Sequence, residues 1–528
     1  PGLRCPGLQR PGLQRHFDIT LETTVRNLLL TTAACLACAS WLEPARAQSS
    51  PDLPLMPTQG AIIAKPAAAP PAGANNNNNT SAGSRPGPVA NPTPGTVVIH
   101  INGRVLTELN GAWSSLDQGS FPAVTGNGAT INPAGTFKTQ PTSISSYARL
   151  YTGLDGMAAN GLRYGGAIEI RQNFTGSSPS NSSTGSSGYS SSQTLFVRRA
   201  FAYVALDQVG ILRAGQGDGL ISLYDNGIST FQFLPSTNLQ GGDLSLVSPA
   251  NTQVPFAFLS GSGNEYGNNK LVYMSPQFAG FDVGVQWAPN TANGFGQGAG
   301  TTYNSVGGCP YATSTCPSLS SSTVASDGAR ILNQTAVGIR YQGKFDAFTV
   351  LAYGVYEFSG HTRFNGPFVA AGSAAARGSS AGTGRFDNLN FGNAGVALTY
   401  AGLTVGGNWV GGAVNGAGAL RPSGGSGTQG WLVGASYKTG PLTVGGSFES
   451  IYSQGAVQLA GITQRHEIGA DVGASYTVAP GLVGWVEYLY QQREQNGFNF
   501  ASGSATSNAG AYNQVKAQGL QLGTTVYW

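Results

Sequence analysis

Seven arginines, Arg104, Arg149, Arg163, Arg171, Arg199, Arg213 and Arg340, stand in segments that alternate between apolar and polar residues. In 160–174, Leu162, Tyr164, Ile168 and Ile170 share one parity, and Arg163, Glu169 and Arg171 share the other. In 334–342, Val337, Ile339 and Tyr341 oppose Ala336, Gly338 and Arg340. Side chains of a strand point alternately to its two faces, so the charges gather opposite a greasy face. Fixed charges so placed orient water and counter-ions; they do not make or break bonds. Groups that could are sparse. Beyond residue 47 the histidines are His100, His361 and His466, far apart and without a metal-binding pair. Gly378-Ser379-Ser380-Ala381-Gly382 fits the G-x-S-x-G pattern, but that elbow needs a strand-to-helix turn in an α/β sheet and here lies in a Gly/Ser-rich stretch. No nucleophile, base and orienting acid assemble. The expectation is no enzyme, no metal and no cofactor. Cys309 and Cys316, the only cysteines after residue 47, are expected to form a disulfide tying one loop.

The elements that carry these groups are legible in composition. Only 9% of 528 residues are charged and 78 are Gly, against roughly 25% charged and 7% Gly in ordinary soluble chains. No run approaches the ~20 consecutive apolar residues of a spanning helix. A transmembrane barrel, whose strands are apolar at every second position, has this composition; so does a secreted Gly/Ser-rich β-protein.

The N-terminal region reads as an export signal. Arg26 precedes an apolar stretch from Leu28 to Leu42, then Ala45-Arg46-Ala47, which is a charged region, a hydrophobic region and an A-x-A cleavage site. Residues 25–47 are the expected signal peptide, cut before Gln48. Residues 1–24 contain a duplicated Pro-Gly-Leu-Gln-Arg (6–10 and 11–15) and read as upstream read-through. Five basic and three acidic residues precede Gln48, leaving 22 and 20, a net +2. That balance argues against a nucleic-acid partner. Residues 48–95, rich in Pro, Ala and Asn, cannot bury a core and read as a disordered leader.

From Thr96 to the end, alternating segments recur: 96–113, 143–153, 160–174, 194–207, 209–216, 269–276, 279–288, 334–342, 345–358, 387–400, 402–413, 429–438, 441–453, 464–478, 481–493 and 514–528. The fold class expected is all-β, a transmembrane antiparallel barrel of about 16 strands. The connections alternate long and short, as periplasmic turns and outer loops do in such barrels. Short ones include Gln342-Gly343-Lys344 and Tyr400-Ala401-Gly402; long ones include 217–268 and 289–333. On the last strand Leu520, Leu522, Thr524, Val526 and Trp528 share one face, and Gly519, Gln521, Gly523, Thr525 and Tyr527 the other. Within this frame His100 falls on the lumen or turn side and His361 in a solvated loop. Arg198, of opposite parity to Arg199, reads as a rim or interface residue.

Three segments resemble the Gram-negative porin family. Val197–Gln216 resembles the hairpin before that family's constriction loop, and Asn269–Phe281 the hairpin after it. The closing strand ending on Trp528 is the third, and its final aromatic resembles the signal read by the barrel-insertion machinery. The likeness runs from residue 96 to the end. It implies a sixteen-stranded barrel in the outer membrane lipids, a homotrimer, and a third outer loop, here 217–268, folded inward. Small hydrophilic solutes and ions would diffuse passively through the lumen. Loop acids would then face the arginine-bearing wall; the loop holds Asp218, Tyr224, Asp225 and Asp243, along with Phe231, Phe233 and Glu265. It departs from the family's acid-rich motif in being heavy in Ser, Leu and Gln. The alternatives are a substrate-specific channel for sugars or small anions, with Tyr203 and Trp485 as lumen aromatics, and a secreted structural or adhesive β-protein that never enters a membrane.

Overall fold

The structure, a computed structural model, describes residues 92–115, 120–121, 124–126, 129–132, 135–136, 142–172, 195–228, 269–290, 331–361, 386–415, 420–456, 459, 461–500, 504–505 and 513–528. The signal segment, the leader up to residue 91, Asp243, the Cys309/Cys316 pair and the Gly378–Gly382 match lie outside them.

Sixteen antiparallel strands close into one barrel. They are β1 (Thr96–Ser114), β2 (Thr142–Met157), β3 (Arg163–Gln172), β4 (Leu195–Leu206), β5 (Gly210–Gln216), β6 (Asn269–Met274), β7 (Phe281–Asn290) and β8 (Ile331–Phe345). The second half comprises β9 (Phe348–His361), β10 (Asn390–Tyr400), β11 (Leu403–Ala413), β12 (Thr428–Thr439), β13 (Leu442–Ser453), β14 (Arg465–Ala479), β15 (Leu482–Glu494) and β16 (Gln514–Tyr527). All sixteen expected segments are strands, with ends shifted by a few residues. A five-residue helix, α1 (Leu220–Tyr224), follows β5.

The faces divide as the alternation requires. On β7, Phe281, Val283, Val285 and Trp287 are exposed, while Asp282 and Gln286 are buried. On β16, Leu520, Leu522 and Val526 are exposed, while Gln521 and Thr525 are buried. In a closed barrel the covered face is the enclosed one, so the apolar side chains form the outer belt. A soluble sandwich would bury them instead. Connections at one end are tight. Ala401 and Gly402 (φ 47° and 85°) form the two-residue turn between Tyr400 and Leu403; positive φ at both positions gives the twist that two-residue hairpins favour.

The strands are strongly staggered. A row of paired residues leaves β1 at Thr96 and passes through Met157, Arg163, Ala205, Ile211, Met274, Gly284, Gly338, Val355, Asn393, Val410, Gly430, Ile451, Glu467 and Arg493. It reaches Val515, two residues past Ala517, the partner of Ser114, so one circuit displaces the row by twenty residues, the eighteen from Thr96 to Ser114 and two more. With ~3.3 Å per residue and ~4.8 Å between strands, that stagger tilts sixteen strands by about 40° and sets a backbone radius of about 16 Å.

Candidate functional site: the inner wall and the segment after β5

Basic side chains enter the lumen from six consecutive strands. They are Arg104 on β1, Arg149 on β2, Arg171 on β3, Arg198 and Arg199 on β4, Arg213 on β5 and Lys270 on β6; all but Arg171 are at least 95% buried. Arg104, Arg149 and Arg171 stand directly opposite one another on neighbouring strands. Like charges so placed destabilise a sheet. Glu169 offsets the cost: its carboxylate lies 3.7 Å from Arg149 Nη1, accepts from Arg198 Nη1 at 3.2 Å on both oxygens, and also accepts from Arg199.

Arg198 is therefore not the rim residue that its parity suggested. Glu169 pairs with Arg199 and the next residue, Ile170, with Val197, so Arg198 is the extra residue of a β-bulge. A bulge sets two residues against one and re-aims a side chain; here two successive arginines both turn inward, and Arg198 is 4% exposed.

This basic arc holds the segment that follows β5. Arg199 Nη2 donates to Asp218 Oδ1 at 2.8 Å, Arg213 donates to the Asp218 carbonyl, and Lys270 Nζ donates to the Gly217 carbonyl at 2.8 Å. Arg213 also stacks on Phe201, 4.6 Å from the ring centre. Beyond that anchor the Leu220 N–H donates to Gln286 Oε1 on β7 at 2.6 Å. The Tyr224 ring lies under the Arg340 guanidinium (4.8 Å), whose Nε donates to Asp282 at 3.0 Å. Burial pushes the Tyr224 phenol well above its ordinary pKa, so it stays neutral. Asp225 accepts from the Gly227 N–H and from Asn408 on β11, and Asn226 donates to the Gly407 carbonyl at 3.3 Å.

The wall is hollowed where this segment lies. A Cβ built on Gly284 would sit 2.4 Å from Leu220 Cδ1 and 2.8 Å from the Tyr224 hydroxyl; one on Gly338 would sit 3.1 Å from Leu220 Cδ2. On Gly395 it would meet Asn226 Nδ2 at 2.8 Å, and on Gly406 and Gly434 it would meet Ile228 at 2.8 and 3.1 Å. Five glycines on β7, β8, β10, β11 and β12 thus form a track that residues 220–228 occupy.

The remaining arc carries acids. Glu449 on β13, Asp471 on β14 and Glu487 on β15 are buried on the inner face, with Glu108 on β1. Asp471 Oδ1 accepts from the Ser447 N–H and hydroxyl at 2.6 and 2.7 Å. Gln521 donates to Asn110, which donates to Glu108. Nearer the long loops Arg493 pairs with Glu467 at 2.5 Å, and Arg465 stacks on Phe498 and Phe500. Among the described residues the lumen charge is thus segregated, chiefly basic on β1–β6, where Glu108, Asp155 and Glu169 are buried acids, and chiefly acidic on β13–β15.

Of the arginines named from sequence, Arg104, Arg149, Arg199 and Arg213 are buried on the basic arc and Arg171 is half-buried there. Arg340 lies apart, against the Tyr224 ring of α1. Arg163 is at the short-turn end, 3.8 Å from exposed Asp207. Asp218, Tyr224 and Asp225 all meet the wall. Tyr203 donates to Asp155 and Trp485 packs on Leu106, both on the inner face. His100 is buried 3.4 Å from Asp155, and His361 contacts Asn388. Sequence reasoning did not single out Lys270, the acids of β13–β15 or the glycine track. The first two were open to the same parity reading; the track shows only once the segment is seated.

The Gram-negative porin family model matches residues 101–527. Solved structures similar to the chain include OmpF of Salmonella typhi in complex with daunomycin (14% identity, 82% of this chain and 98% of that one, TM-score 0.46). The anion-selective porin of Comamonas acidovorans (12%, 82% and 100%, 0.43) and the outer-membrane-expressed OmpT of Vibrio cholerae (12%, 83% and 99%, 0.43) are also similar. No curated protein matches the chain by sequence. With most of its length covered by the family match, the chain belongs to the Gram-negative porins.

Proposed function

We propose that this porin forms a water-filled channel in the outer membrane through which small hydrophilic solutes and ions diffuse passively, with loop 217–268 as its constriction. The observation that carries the reading is the anchorage of residues 217–228: cations of β4, β5 and β6 hold the loop's first residues at the wall. An inward loop narrows a lumen that sixteen strands would otherwise leave wide. The segregated basic and acidic arcs set a field across the path, which orients water and polar solutes and disfavours apolar ones. Asp218, Tyr224 and Asp225 belong to the constriction, and Arg104, Arg149, Arg171, Arg199 and Arg213 line the pore beside it. We further propose export through the 25–47 signal, insertion guided by the strand ending on Trp528, and assembly as a homotrimer.

Planar-bilayer recording of the purified protein tests the channel. Stepwise conductance that rises in proportion to salt supports a general pore. Conductance that saturates and is blocked by a sugar or small anion would move the reading to a substrate-specific channel. A freely soluble protein with no channel activity would end it.

A further inference from the structure

β1 begins well below the strand that closes on it. Trp528 exchanges both of its backbone hydrogen bonds with Gly103, at 3.2 Å each, and the β1–β16 register runs upward from Arg104–Tyr527. Yet β1 starts at Thr96, and from Thr96 to Gly103 it pairs with β2 residues Met157 to Leu150. Among the described residues, 96–102 therefore have a neighbouring strand on one side only. Backbone groups of an antiparallel strand turn alternately to its two sides. Gly103 turns towards β16, so Ile101, Ile99 and Val97 present their N–H and C=O groups to the open side, while Asn102, His100 and Val98 face β2.

The same three residues point their side chains outward, with Val97 51%, Ile99 65% and Ile101 45% exposed. Natural sheets guard such edges with prolines, charges or bulges. Residues 96–102 (Thr-Val-Val-Ile-His-Ile-Asn) carry neither proline nor a fixed charge, and β1 pairs with β2 without a break. A β-branched, unguarded edge is a template for another strand.

The chain that leads into this edge offers an occupant. Residues 48–91 are broken by prolines at 51, 54, 57, 66, 70, 71, 86 and 88. Within them only Gly60-Ala61-Ile62-Ile63-Ala64-Lys65 combines successive β-branched apolar residues with freedom from proline. A flexible chain as long as residues 66–92 would span about 30 Å, against about 17 Å for the five-residue edge 97–101. A tether of that length keeps the segment at a high effective concentration beside its target.

We propose that Gly60–Lys65 adds to the open edge of β1 as a short extra strand, bonded backbone to backbone at Val97, Ile99 and Ile101. The leader then covers the barrel seam beneath the terminal Trp528. This proposal is independent of the transport reading.

Amide hydrogen exchange on the detergent-solubilised mature chain tests it. The Val97, Ile99 and Ile101 amides should exchange about 100-fold more slowly in the full chain than after deletion of 48–91. The double substitution Ile62→Pro/Ile63→Pro should release them to the same extent, while the β2-facing Val98 and His100 amides stay protected in all three proteins as a check on folding. Fast exchange at the three amides in the full chain would overturn the proposal. So would protection that survives both leader changes; if it then falls on dilution, the occupant is a second copy of the chain.

Discussion

Glu169→Gln removes the one carboxylate shared by Arg149, Arg198 and Arg199 while keeping the shape of the side chain. The lumen gains one unit of positive charge at the basic arc. With a backbone radius of about 16 Å and side chains reaching some 6 Å inward, a permeating ion passes about 10 Å away. In water a unit charge at that distance contributes about 0.4 kcal/mol. Screening over a Debye length of about 10 Å at 0.1 M leaves about 0.15 kcal/mol, and the ~30 Å length at 0.01 M leaves about 0.3 kcal/mol. The change acts with opposite sign on cations and anions. The anion-to-cation permeability ratio should therefore rise about 1.7-fold at 0.1 M and about 2.7-fold at 0.01 M. Reversal potentials across a fixed KCl gradient, at both mean salt concentrations, read the shift directly. A shift towards cations, or none at either concentration in a variant that still inserts, would refute the placement of Glu169 beside the conducting path.

Three further outcomes are expected. Deleting 225–245 removes the Asp225 and Asn226 ties to β11 and should raise single-channel conductance in planar bilayers; unchanged conductance would count against the loop as constriction. Gly284→Val places methyl groups where Leu220 and Tyr224 now sit, so it should lift α1 from the wall and lower conductance, with heat-modifiable gel migration still showing a folded barrel. Removing Trp528 takes away the residue bonded at both ends to Gly103 and should reduce the protein recovered in outer-membrane fractions; an undiminished yield would remove the terminal aromatic from the insertion pathway.

Much of the barrel is legible in the sequence because a strand's two-residue period ties each side chain to one face. Phe281 and Asp282, or Leu520 and Gln521, need only their order in the chain to be assigned. The rule fails where the count fails. Arg198 was misplaced because the bulge at Glu169 and Ile170 inserts a residue that neighbouring positions do not announce. The glycines at 284, 338, 395, 406 and 434 are equally silent. Gly is frequent throughout the chain, and what distinguishes these five is a segment approaching from elsewhere in it. The acids at 449, 471 and 487 follow the parity rule, but their meaning depends on which strands lie away from the basic arc, and only closure of the sheet sets that.

The glycine track also has a consequence for how this chain can vary. Because residues 220–228 are countersunk into the thickness of the sheet, they obstruct less of the bore than the same residues laid over a wall of ordinary side chains. The clearest case is Gly284, where an added carbon meets the Leu220 and Tyr224 side chains first. A single methyl group there would step the loop towards the axis without altering strand number, stagger or outer belt, so the width of the passage is adjustable at that point independently of the scaffold.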